Sequence, residues 1–263
     1  MQQAGLPASE TPYGNNESVG HRVLAKDAQI YYEVYGQGEP VLVLHGGGVG
    51  CSYEMGVIID RLVKNYQVIV ISTRGHGKSE IGTEPLTLEQ KADDVMSVIR
   101  TVTTQPVTVI GFSDGGYAGY SLAAKYPEAV KRLVAMGAGE LVPGLRRIVP
   151  FTTTDIQGMD AEFLAQQMAL MPEPERLDAY WKEYYEFYNT VVVSKELLRR
   201  ITCPVLVMGG VRDGNAPLDS VLAAYRMILN SRLAIIPNAP HPAFLTHFNI
   251  VWAAIDAFLQ ETA

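Results

Sequence analysis

The sequence predicts an α/β fold built on a largely parallel sheet, and three observations predict it. Short runs rich in Val, Ile and Leu recur along the chain, apolar throughout rather than alternating, as strands buried on both faces require. Helical patterns lie between them, and strand alternating with helix implies right-handed βαβ crossovers. Several of the apolar runs end directly in glycines, as if the chain turned sharply at one edge of the sheet. A chain of 263 residues, 48% of them apolar, fits this architecture as one large unit.

The elements follow in order. The first 18 residues are polar and rich in Pro and Gly, and are expected as a flexible arm. They contain no apolar h-region, so no signal peptide is expected in the chain as written. A secreted chain trimmed to its mature form would look the same, which leaves the compartment open. "HRVLA" and "QIYYEVYG" open the strands, followed by "PVLVLHGGG", "YQVIVISTRGHGKS", "PVTVIGFSDGG", "VKRLVAMGAG", "CPVLVMGG" and "RLAIIPNAPHP". "TLEQKADDVMSVIRTV" places Leu88, Ala92, Val95, Val98 and Ile99 on one helical stripe. "GYAGYSLAAKYP" is stopped by its proline, and "LDSVLAAYRMIL" and "HFNIVWAAIDAFLQETA" complete the helices. Residues 142–193 break the alternation and are expected as a helical lid. The core would then be 19–141 and 194–263. Within the lid, Tyr180, Tyr184, Phe187 and Tyr188 share a helical face. That face either packs on the base beneath it or lines a substrate pocket, or does both.

Composition excludes some functions. A net charge of -7 without Lys/Arg clusters argues against nucleic acid and anionic membranes. Arg146-Arg147 and Arg199-Arg200 read as solvated surface. No stretch approaches the length of an apolar membrane span. Cys51 and Cys203 form neither a disulfide framework nor a metal pattern, and are expected as buried free thiols.

The chemistry centres on Ser113. In "GFSDGG" it follows a buried strand and precedes a helix, with Gly111 and Gly115 at i-2 and i+2, where the chain nearly folds onto itself. This is the G-x-S-x-G pattern of a nucleophile elbow. A serine hydroxyl needs a base, and the base needs an orienting carboxylate. On such a sheet both follow the serine in the chain. His241, in "PNAPHPAF", is the expected base, whereas His247 opens the last helix as surface or core. Asp213, in "VRDGNAP", is the expected acid. Asp219 suits a first helical turn, and Glu140 is a reserve acid or a rim residue. The oxyanion donors would be the amide of Asp114 and that of Gly47, with Gly48 possible, in a loop held by His45. Gly48, Glu140, Tyr184 and Tyr188 are the candidate substrate contacts. A phosphate-binding loop is the lesser reading of "HGGG", since no phosphate-loop frame is present.

Taken together, "HGGG", "GFSDGG", "RDGNAP" and "APHPAF" resemble the α/β-hydrolase family, in family order and at family spacing, from about Gly20 onward. The resemblance implies a mostly parallel eight-stranded sheet flanked by helices, with a lid after strand 6. It also implies a Ser-His-Asp hydrolase with no metal and no cofactor. "STRGHGKS" departs from the family turn D-x-R-G-H-G-x-S, with Ser72 in place of the aspartate; Arg74 and His76 are expected to be structural. "GFSDGG" is similar to the biphenyl-hydrolase-like branch, which includes amino-acid ester hydrolases. Asp114 then either complements the helix dipole or faces the pocket and favours substrates bearing an ammonium. The expected activity is hydrolysis of small carboxylic esters. An amidase, lactonase, C–C bond hydrolase or perhydrolase shares the same triad, and a ligand-binding receptor on a hydrolase fold is the competing class. Oligomeric state is not readable from these patterns.

Overall fold

The computed structural model describes residues 9–146 and 148–261. Eight strands form one sheet: β1 (Gly20–Ala25), β2 (Ala28–Tyr35), β3 (Glu39–Leu44), β4 (Tyr66–Ile71), β5 (Val107–Phe112), β6 (Val130–Met136), β7 (Val205–Gly210) and β8 (Ser231–Ile236). Their order is β1-β2-β4-β3-β5-β6-β7-β8. The β1–β2 and β2–β4 pairs are antiparallel, and every later pair is parallel.

Alternation along each strand makes two cores. Leu42, Leu44, Ile69, Ile71, Val107 and Val109 face α2 (Leu88–Val102, with α1 spanning Gly56–Leu62) and α3 (Asp114–Lys125). Val41, Val43, Val68, Val70 and Ile110 belong to the opposite core, with residues of α1 and of the last helix. Between β6 and β7 the chain forms α4 (Thr153–Met159), α5 (Ala161–Leu170), α6 (Leu177–Thr190) and α7 (Lys195–Leu198). After β7 come α8 (Leu218–Met227), α9 (Ala243–Thr246) and α10 (Phe248–Leu259). Leu141 and Val193 exchange two backbone hydrogen bonds of 2.8 Å, which clamp the two ends of the excursion carrying α4 to α6.

Two expectations need correction. Residues 9–18, expected as part of a flexible arm, are anchored at Tyr13, Gly14 and Asn16, while Glu10, Pro12, Asn15, Glu17 and Ser18 are exposed; residues 1–8 lie outside the described residues. The cause is Glu33, whose buried carboxylate accepts the Gly14 and Asn16 amides at 2.8 and 2.7 Å. Tyr13 is buried and donates to Asp60 at 2.7 Å. Cys51, expected to be buried, is only partly so; Cys203 is buried, and both thiols are free. Burial pushes each thiol up to about 11.

Arg74 is structural, as expected. Its guanidinium is held by Asp94 at 2.8 and 3.0 Å, by Asp27 at 2.8 Å, and by the carbonyls of Ala25 and Ile81. Ser72, in place of the family aspartate, reaches Ser52 at 3.2 Å, and its carbonyl accepts the Ser79 hydroxyl at 2.6 Å.

Candidate active site

The carboxyl ends of parallel strands share one edge of the sheet, where ligands collect in such folds. Ser113 follows β5 there with φ 50° and ψ -112°, a backbone region that non-glycine residues rarely adopt. The turn closes because its flanks carry no side chain. A Cβ on Gly111 would sit 2.3 Å from the Gly115 carbonyl, and one on Gly115 would sit 2.4 Å from the Leu44 carbonyl. The Ser113 amide donates to Met136 at 2.7 Å, and that of Gly115 to His45 at 3.1 Å.

Asp213 and His241 arrive from the loops after β7 and β8. His241 Nδ1 lies 2.8 Å from Asp213 Oδ2, and Nε2 lies 2.9 Å from Ser113 Oγ. The Asp213 side chain is fully buried, and its other oxygen accepts the Asn215 and Ala216 amides at 2.8 Å each. A buried carboxylate with those donors is an acceptor at Nδ1, so Nδ1 carries the proton and Nε2 accepts from the serine hydroxyl. The Phe112 ring packs 4.8 Å from the imidazole and steadies its plane.

Across from the elbow, His45 holds the glycine loop. Its Nδ1 donates to the Gly46 carbonyl at 2.5 Å, and Nε2 accepts the Thr73 amide at 3.1 Å. Burial, then the neighbouring His76, push His45 down to about 3, so its ring is neutral. The Gly46 amide is taken by Glu54 at 2.6 Å. Among the described residues, the amides of Gly47 and Asp114 have no protein acceptor. The Asp114 amide also opens α3, at the positive end of the helix dipole.

α6 lies over this edge. Tyr180 donates to the Arg74 carbonyl at 2.8 Å, and Trp181 to that of Gly48 at 3.2 Å. Tyr188 donates to the Asp114 carboxylate. Tyr184 lies so close to Gly47 that a Cβ there would be 1.8 Å from its hydroxyl. The aromatic face therefore packs on its base, although Phe187 is only partly buried. A cavity of about 20 Å³ lies beside Gly48, His76 and Trp181, and one of about 10 Å³ beside His241 and Phe244, each with room for roughly one water.

Three residues have partners that the sequence did not specify. Glu140 accepts the Ser194 hydroxyl at 2.5 Å, close to the Leu141–Val193 clamp, and the acid at His241 Nδ1 is Asp213. The Asp114 carboxylate is buried and already paired, with Lys91 Nζ at 3.0 Å. Burial opposes its charge, but Lys91 and the Tyr188 hydroxyl outweigh that and hold its carboxyl below the usual range. It is therefore not open to a substrate ammonium. Arg146 is partly buried, donates to the Asn215 carbonyl and lies 6.0 Å from the Tyr188 ring; Arg147 lies outside the described residues.

Sequence reading missed Lys91 and Glu54. The signal for Lys91 was its place between Leu88 and Val95, at i+3 and i-4, on the apolar stripe of α2. Glu54 lies four residues before the buried Ile58. Among the described residues no cluster of three His, Cys, Asp or Glu could hold a metal ion, and no described helix is long and apolar enough to cross a membrane.

Residues 39–171 match the model of the alpha/beta hydrolase fold family. The chain belongs to that family. This α/β hydrolase is 24% identical to a 2-hydroxy-6-oxo-6-(2'-aminophenyl)hexa-2,4-dienoic acid hydrolase of Metapseudomonas resinovorans, over 92% of this chain and 91% of that protein. It is 23% identical to the human serine hydrolase BPHL, over 91% of this chain and 86% of that one, in accord with the biphenyl-hydrolase-like branch. Among solved structures, a serine hydrolase involved in carbazole degradation superimposes with a TM-score of 0.78 at 23% identity. That alignment covers 92% of this chain and 98% of the other.

Proposed function

We propose that this α/β hydrolase cleaves small carboxylic esters through an acyl-enzyme intermediate. The observation that carries the reading is the unbroken chain from Ser113 Oγ to His241 to Asp213, at 2.9 and 2.8 Å. Ser113 attacks the acyl carbon while His241 Nε2 takes its proton. The buried Asp213 carboxylate keeps the imidazole in the accepting tautomer and stabilises the imidazolium that forms. The amides of Gly47 and Asp114 receive the oxyanion. His241 then gives its proton to the leaving alkoxide, and the bond to the alcohol breaks. A water, deprotonated by His241, attacks the acyl-serine, and the acid leaves as Ser113 is reprotonated.

Residues 142–193 act as the lid in this reading. Tyr184 lies against Gly47 in this conformation, so in this reading α6 shifts to admit substrate. Tyr184 and Tyr188 then border the acyl group, with Gly48 at the rim; Glu140 is left to the lid's hinge. A second reading, favoured by full-length similarity to the dienoic acid hydrolase, is attack by the same serine on a keto acid with C–C bond cleavage.

A panel of p-nitrophenyl esters of increasing acyl length, beside a 2-hydroxy-6-oxo-dienoate, tests the choice. The ester reading predicts turnover falling with chain length, and a loss of about 10³-fold or more in Ser113→Ala. Turnover of the dienoate alone would select the second reading. No turnover of either by folded protein contradicts both and supports a ligand-binding role.

A further inference from the structure

Lys91 is a buried charged group, next to the nucleophile's neighbour Asp114, that the proposed chemistry leaves unused. Its side chain is 8% exposed, on α2 beneath α6. Taking an ammonium out of water is unfavourable unless its surroundings compensate. Here they do so with one carboxylate and aromatic faces. Nζ lies 3.0 and 3.2 Å from the two oxygens of Asp114. The ring centroids of Tyr184, Phe187 and Tyr188 lie 5.5, 6.0 and 6.0 Å away. Tyr188 also donates to the same carboxylate. A carboxylate walled by aromatic faces is the chemistry that takes up alkylammonium ligands.

The pocket adjoins the reacting atoms. Asp114 follows Ser113 directly, and Tyr184 reaches Gly47. We infer that Lys91 fills, from within the chain, an alkylammonium-binding pocket next to the nucleophile, and so sets the site against substrates that carry a protonated amine. Its tether gives the ammonium a high effective concentration there. An incoming amine would have to displace Lys91 or lie beside a like charge in a poorly hydrated space. The consequence for turnover rests on the serine-hydrolase reading; occupancy of the pocket does not.

The probe is n-butylammonium, the detached lysine side chain, with n-butanol as its neutral counterpart. In Lys91→Ala, n-butylammonium should raise the melting temperature saturably, and n-butanol should not. Wild type should show no such rise. Lys91→Met/Asp114→Asn, in which both charges are gone, should not respond either. If Lys91→Ala is recovered only by refolding, the yield with and without n-butylammonium gives the same reading. For turnover, the ratio of kcat/KM for alanine benzyl ester over benzyl propionate should rise about tenfold or more in Lys91→Ala. The inference is overturned if Lys91→Ala shows no saturable response in melting or refolding yield, if the double variant responds equally, or if wild type already prefers the amino ester. Failure of wild type on both esters would count against the hydrolase reading, and the melting comparison would still decide the pocket.

Discussion

Ser113 holds a φ of 50° with a Cβ attached, a strain of about 1–3 kcal/mol that the Met136 and Gly115 contacts must sustain. Glycine adopts that backbone freely, and alanine does not. Ser113→Gly should therefore melt at or above the wild-type temperature and Ser113→Ala should not, while both lose turnover; calorimetry on the three proteins checks it. Glu54 supplies the pH dependence. Burial raises its carboxyl from the ordinary 4.5 to about 7, against the lowering pull of the Gly46 amide. The folded protein then binds this proton more tightly than the unfolded chain does. The contribution is fully present below about pH 4.5 and is lost as pH rises to about 7. Glu54→Gln, neutral throughout, should match wild type near pH 4.5. It should exceed wild type by on the order of 1–3 kcal/mol at pH 8, read from urea midpoints. Ser113, Asp213 and His241 were legible because each follows an apolar strand at a turn, a pattern contained in about ten residues. Glu54 and Lys91 were not, because their meaning comes from Gly46 in another loop and from Asp114, 23 residues away.

Among the elements, α6 carries the access problem. Its aromatic spacing was readable as one face, and the face meets the loops of Arg74 and Gly48 and the first residue of α3, Asp114. Which loops it would meet was not readable, since that depends on the crossing of a long connection over the sheet. Tyr180→Phe/Trp181→Phe removes two of those three hydrogen bonds. Amide exchange across 177–190 should quicken by about tenfold or more in that variant, with β5 and β6 unchanged. Equal exchange rates in the two proteins would show that these bonds do not hold the helix down. The segment 9–18 shows the opposite lesson. Its Pro, Gly and Asn content reads as an arm, but a carboxylate that no local pattern reveals, Glu33, gathers its amides.

For the molecule as a whole, side-chain alternation splits the interior into two cores, and the parallel pairing of β3, β5, β6, β7 and β8 brings their carboxyl ends to one edge. The residues after β3, β5, β7 and β8 meet there although they lie as much as 196 positions apart, from His45 to His241. The strands and their largely parallel pairing were legible from apolar runs separated by helices. The order across the sheet was not legible, because spacing along a chain does not state which strands are neighbours. The central claim is that this convergence makes one serine reactive. Treating the folded protein with a fluorophosphonate probe and locating the adduct by mass spectrometry tests it most directly. The account predicts stoichiometric modification of Ser113, abolished in Ser113→Ala and slowed by about 10³-fold or more in His241→Ala. An unmodified Ser113 in folded wild-type protein, or labelling that persists at the same rate without His241, would contradict it.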